Sequence, residues 1–129
     1  MKKKSLWIVG IAILIIVIGL FMIFRIGSED SWIKDSRGIY IKHGVPSNTP
    51  SYVLEQQEAI NCALNKFENF NEETNSQCLG VCGNYAVDVV HVPRSEEDNK
   101  AENQCEAYRN GEVSNFIELD KEGNIVRII

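Results

Sequence analysis

Residues 6–24 read LWIVGIAILIIVIGLFMIF, 19 consecutive positions without a charge or a strong polar group. A helix that packs on one side of a water-soluble fold needs one apolar stripe. A helix that is apolar all round needs a covering on every side, from protein or from lipid. As a helix these residues extend about 28 Å, close to the ~30 Å hydrocarbon layer of a bilayer. Backbone amides in lipid must be satisfied within the segment, so a single span has to be helical. The expectation is a signal anchor within residues 1–25. Lys2, Lys3 and Lys4 precede the run, Arg25 follows it, and Glu29 and Asp30 come next. The positive-inside bias then leaves the N-terminus in the cytoplasm and residues 26–129 outside, as a single-pass protein of the cell membrane. A cleaved signal peptide would want a shorter run closed by small residues, whereas this one closes on Phe21-Met22-Ile23-Phe24. A lipoprotein would want a cysteine directly after the run, and the first is Cys62. Nor does Lys4-Ser5-Leu6 resemble the cleavage site of a pilin-type leader.

The charge is uneven. The chain has 13 basic and 18 acidic residues, and residues 1–25 hold four of the former and none of the latter. The remaining 9 basic residues face all 18 acids, so residues 26–129 carry about −9. A nucleic-acid partner is not expected, because phosphate recognition needs clustered Lys and Arg.

Residues 26–49 read as a tether with one small hairpin. Trp32-Ile33-Lys34 and Ile39-Tyr40-Ile41-Lys42 flank Asp35-Ser36-Arg37-Gly38, a turn sequence closed by glycine. An isolated hairpin is marginal in water, so it is expected to dock on the main domain or on a membrane surface. Residues 50–129 read as one domain. Within it, 50–70 gives a helix, with Thr49 as cap and a core stripe of Val53, Ile60, Ala63, Leu64 and Phe67. On that wheel Cys62 points away from the core. The run 85–92 is rich in β-branched residues at both parities, which predicts a central strand covered on both faces. Ser95-Glu96-Glu97-Asp98 has the pattern of a capping box. A short second helix to about Arg109 is expected, with Ala101, Cys105 and Tyr108 on one face. A hairpin of 113–119 and 125–129 follows, turned by Asp120-Lys121-Glu122-Gly123. The predicted fold class is α+β: an N-terminal transmembrane helix, then a small antiparallel sheet with one main helix across it and a short second helix.

Cys62, Cys78, Cys82 and Cys105 form an even set in a small domain expected outside the cytoplasm, which favours two disulfides. The reading pairs Cys62 with one of Cys78 and Cys82, and Cys105 with the other. Structural zinc is disfavoured, because there is one close pair and it has three intervening residues. A redox motif of the C-x-x-C type at a helix start is absent.

His43 and His91 are the only histidines. With Asp88 and Arg94 they make up the candidate binding residues. Asp88 interrupts an apolar strand and needs a donor or a cation; Arg94, Arg109 or Arg127 would serve. Glu96, Glu97, Asp98, Glu102 and Glu106 read as the solvated face of a helix. No catalytic residue, cofactor or metal site is assigned.

Two resemblances accompany these residues. WIKDSRGIYIKHGVP, YVLEQQEAINCAL and CLGVCGNYAVDVVHVPR resemble a group of small membrane-anchored prokaryotic proteins, mostly archaeal; that resemblance implies no particular activity. The order helix, strand, terminal hairpin (FIELDKEGNIVRI) is similar to PepSY-like and cystatin-like α+β folds, in which a helix crosses an antiparallel sheet. This similarity implies a binding or regulatory module acting on peptidases or envelope proteins. The functional expectation is an envelope module that binds a protein or peptide, anchored in the bilayer by residues 6–24. The edge of the 113–129 hairpin is a candidate for strand addition. The alternatives are an envelope enzyme or metal-dependent protein using His43, His91 and Asp88, and a subunit of a surface filament.

Overall fold

The helix expected at the N-terminus forms as α1, Lys2–Ile26, in the computed structural model. The structure describes residues 2–26, 30–70 and 76–129, with side chains for 7–23 in the first of these stretches. The start of the expected tether at 27–29 and the turn-rich positions 71–75 lie outside the described residues. So do the side chains of Leu6, Phe24 and the flanking basic residues. Every described side chain of α1 is exposed. Among the described residues, no helix is long and apolar enough to cross a membrane. The stretch 7–23 rises about 25 Å, short of the ~30 Å hydrocarbon layer.

The small hairpin is β1 (Ser31–Lys34) and β2 (Tyr40–His43), paired antiparallel. Asp35 builds its turn. One carboxylate oxygen accepts from the Arg37 and Ile39 backbone N–H groups, and the Gly38 N–H donates to the Asp35 carbonyl at 3.0 Å. Gly38 has φ +87° and lies so close to the Ile128 carbonyl that a Cβ would collide with it. The hairpin docks on the main domain. Gln56, 1% exposed, accepts from the Tyr40 N–H at 2.8 Å and donates to the Gly38 carbonyl at 2.9 Å.

Helix α2 spans Ser51–Glu68. Pro50 is its N-cap, where Thr49 was expected, and the Pro50 carbonyl takes the N–H groups of Val53 and Leu54. Its buried face is Val53, Gln56, Ala59 and Ala63. Including Gln56 and Ala59 rotates the core face by about 45° from the stripe read off the large apolar residues. Cys62 therefore lies on the flank of the buried face, half-buried, and does not point away from the core.

The main sheet has the order β3-β4-β5-β6, with β3 Cys78–Cys82, β4 Tyr85–Val89, β5 Asn115–Leu119 and β6 Ile125–Ile128. β3–β4 and β5–β6 are antiparallel. The expectation of a wholly antiparallel sheet is corrected at the centre, where β4 and β5 are parallel. The 25 residues between them cross one face of the sheet before β5 begins, the kind of long return that a parallel pair requires. β4 is an inner strand with both faces covered. On one side α2 packs over Val87, Ile117, Leu119 and Ile128. On the other, Ala86 packs with Cys105, Val113 and Phe116.

The second helix is corrected as well. Residues 95–109 form two single 3-10 turns, Glu97–Asn99 and Ala101–Asn103, and one α-turn, α3, Glu106–Arg109. Lys100 and Gln104 take extended backbone angles between them. The terminal hairpin forms as expected. Asp120 accepts from the backbone N–H groups of Glu122 and Asn124, and Gly123 has φ +84° at a position where a Cβ would collide with the Phe67 ring. The outer edge of β6 is partly occupied, because the Ile128 N–H donates to the Arg37 carbonyl at 2.7 Å. Strand addition at that position would have to displace the small hairpin.

Both disulfides form: Cys62–Cys82 ties α2 to the end of β3, and Cys78–Cys105 ties the start of β3 to the returning segment. No described cysteine is free. Each bond contributes roughly 2–4 kcal/mol by restricting the unfolded chain.

Candidate functional site

The parallel register sets Asp88 of β4 opposite Glu118 of β5, and β6 brings Arg127 beside Glu118. All three lie on the face away from α2. The chain leaving β4 adds Arg94 from above. Glu118 is 5% exposed and holds both guanidiniums. Arg94 Nη1 donates to Oε1 at 2.6 Å, and Arg127 donates through Nε and Nη2 to Oε2 and Oε1, each at 3.1 Å. Arg127 also lies over the Phe116 ring, 5.1 Å from its centroid. Two fork-shaped donors thus neutralise one buried carboxylate.

Asp88 is treated differently. Its side-chain hydrogen bond comes from the Cys105 backbone N–H at 3.2 Å, and among the described residues no cation pairs with it. Arg94 and Arg127 serve Glu118, and Arg109 is exposed at the end of α3. The ion pair expected for Asp88 is therefore not formed. Burial pushes its carboxyl up to about 6. The Glu118 charge adds to this, against the lowering effects of the Cys105 N–H and Arg94. Asp88 and Glu118 border a cleft of about 140 Å³, with Arg94, Tyr108, Phe116 and Arg127 around it.

Beside the cleft, Asp98 organises the turn after β4. Its carboxylate accepts from the backbone N–H groups of His91 and Ser95, the Ser95 hydroxyl, the Gln77 amide and His91 Nδ1. Burial alone would push its pKa up, yet these donors outweigh that and hold the carboxyl well below the usual carboxylate range. Asp98 was expected on a solvated helix face and is instead buried, unlike Glu96, Glu97, Glu102 and Glu106, which are exposed. Ser95, His91 and Asp98 are the residue types of a hydrolytic triad, but Ser95 Oγ and Asp98 Oδ1 both address His91 Nδ1, at 3.2 and 2.9 Å. A relay needs the serine on one ring nitrogen and the acid on the other. This cluster is built as a structural knot.

The four candidate residues thus separate. Asp88 and Arg94 meet at the cleft, His91 is tied to Asp98 behind it, and His43 is exposed at the end of β2, on the other sheet. Sequence reasoning missed Glu118 and Asp98 as members of the site, and offered Arg127 only as a partner for Asp88. A signal existed for Glu118, which interrupts Phe-Ile-Glu-Leu much as Asp88 interrupts Val-Asp-Val. The sulfurs of Cys78 and Cys105 and a carboxylate oxygen of Asp88 lie within 4.8 Å of one another. The sulfurs are bonded together, so neither is a thiolate ligand for a metal. A second hollow of about 440 Å³ lies between α2 and the β3–β4 turn, bordered by Glu55, Glu58, Tyr85 and the Cys62–Cys82 bond. No family model matches the chain, and no curated protein or solved structure shows significant similarity to it.

Proposed function

We propose that the chain is a recognition module of the cell envelope, anchored by residues 6–24, whose disulfide-bonded domain faces the outside and binds a protein or peptide. The apolar run and its preceding lysines support the anchor. Two disulfides with no described free cysteine support an oxidising compartment. The observation that carries the binding reading is Asp88, a largely buried carboxylate bordering a cleft, with no ion pair to it among the described residues. Such a group is completed by a positive charge brought from outside. At about 140 Å³ the cleft admits the end of a lysine or arginine side chain or a terminal amine. It is smaller than the ~300–1,000 Å³ pockets that enclose whole small-molecule ligands. Tyr108 and Phe116 offer apolar surface for the stem of such a side chain.

The enzyme or metal reading on His43, His91 and Asp88 draws no support from the geometry, which separates those residues. No observation favours a filament subunit. The binding reading is tested by panning the purified full chain against a random peptide library. Selected peptides are expected to share a Lys or Arg, and Asp88→Asn is expected to weaken them about tenfold, or ~1.4 kcal/mol. Selection with no basic residue, or affinity unchanged in Asp88→Asn, would exclude the cleft as the site. The topology is tested by labelling intact cells with a membrane-impermeant amine reagent: Lys66, Lys100 and Lys121 should react, and protection of all three would refute an outward-facing domain.

A further inference from the structure

The two disulfides differ in their surroundings. Cys62–Cys82 borders the wider hollow on one side and lies against the apolar core with Ala59, Ala63, Val87 and Ile117 on the other. Cys78–Cys105 has a carboxyl group beside it, since one Asp88 oxygen lies within 4.8 Å of both sulfurs. The two sulfurs of that bond are unequal, as they are in Cys62–Cys82, where Cys82 is 2% exposed and Cys62 half-buried, so the carboxyl is what sets Cys78–Cys105 apart. Cys105 is 1% exposed, whereas Cys78, on the first residue of an edge strand, is half-buried. Thiol–disulfide exchange is an in-line displacement, and it is fastest when the attacked sulfur is accessible and the leaving sulfur is stabilised or protonated.

We propose that Cys78–Cys105 is an exchangeable disulfide that oxidises a dithiol, with Cys78 as the attacked sulfur, Cys105 as the leaving sulfur and Asp88 as its proton donor. One thiolate of the dithiol bonds to Cys78 Sγ as the Cys78–Cys105 bond breaks. Its electron pair goes to Cys105 Sγ, which takes the Asp88 proton and leaves the carboxylate. The second thiol of the reductant, deprotonated by the medium, then attacks its own sulfur on Cys78. This releases the Cys78 thiolate and the oxidised dithiol, and the Cys78 thiolate takes a proton from the medium. The protein gains two electrons and the dithiol loses two. Burial keeps the Asp88 proton in place up to about pH 6, so the donor is loaded in mildly acidic conditions. The other titratable or charged groups around Asp88 are Glu118 of β5, Arg127 of β6, Arg94 and Asp98 of the returning chain, and Tyr108 of α3. This role is independent of peptide binding at the cleft, because it stands on the disulfide.

The experiment uses the full chain, a monothiol (2-mercaptoethanol) to trap the first step, and dithiothreitol to complete it, with each cysteine followed by alkylation and mass spectrometry. The adduct should form on Cys78, and Cys78–Cys105 should open about tenfold or more faster than Cys62–Cys82. Asp88→Asn should slow the first bond about tenfold near pH 5 and by about threefold or less near pH 8. The Cys62–Cys82 rate is the internal reference, because loss of the fold would accelerate both bonds. An adduct on Cys105, equal opening of the two bonds, or a folded Asp88→Asn variant with the wild-type rate near pH 5 overturns the proposal. Should the variant unfold, the wild-type adduct position and rate ratio decide alone.

Discussion

Leu119 and Glu118 are neighbours on one strand, and they face two different interiors. Leu119 points to the α2 side, where the buried side chains are apolar apart from Gln56, whose amide is used by the hairpin. Glu118 points to the side covered by 3-10 turns and one α-turn, where Asp88, Asp98, Arg94 and Arg127 gather. A long regular helix covers a face continuously and leaves no room for charge. Short turns cover it in pieces, and the gaps admit partly wetted arginines that make buried carboxylates tolerable. The first face stabilises the fold by burial; the second spends stability on an arrangement of charges, which is where a functional site is expected.

The contrast can be broken most strongly at Leu119. Leu119→Ala removes a fully buried side chain from the α2 face and should cost about 4 kcal/mol in urea denaturation. Glu118→Gln removes the charge shared by two arginines whose side chains are 37% and 46% exposed, so solvent screening reduces its effect to about 2 kcal/mol. The same melts, repeated with salt, should show the Glu118 effect shrinking and the Leu119 effect unchanged. Asp88→Asn gives the smallest change and the opposite sign. The native Asp88 carboxyl, raised from 3.8 to about 6, binds its proton more tightly than the unfolded chain does. Stability from this group is therefore full below pH 3.8 and lost as pH rises through about 6. Undiminished, that rise would correspond to about 3 kcal/mol; Asp88 is partly exposed, so solvent screening reduces it, and the variant should match wild type near pH 4 and exceed it by about 1 kcal/mol near pH 8. Asp98 contributes in the reverse sense: its carboxyl is held low, so its contribution is present above its ordinary value and lost as pH falls below it.

Much of this architecture is legible from local pattern. The i, i+3, i+4 apolar spacing marks α2, β-branched residues at both parities mark the inner strand, and Asp120 to Gly123 mark the last turn. Assigning each member of the close pair to a different partner leaves two arrangements, and the structure selects Cys62–Cys82 with Cys78–Cys105. What escaped notice depends on long-range choices. Gln56 is polar, so a hydrophobic wheel omits it, yet the hairpin backbone makes it a core residue and turns the helix towards Cys62. Asp98 looks like a helix N-terminal acid, but five donors from 77, 91 and 95 draw it inward and the second helix does not propagate. The parallel β4–β5 pair is set by where 90–114 returns across the sheet, which no local spacing encodes. For the same reason the arginines were matched to the wrong acid: Asp88 and Glu118 become neighbours only through that parallel register.

The bond from Ile128 to the Arg37 carbonyl has a consequence for crowding. An unfilled amide on a terminal strand invites a second molecule to extend the ladder. Here the chain's own small hairpin plugs that socket, so copies packed side by side are denied this route to runaway stacking.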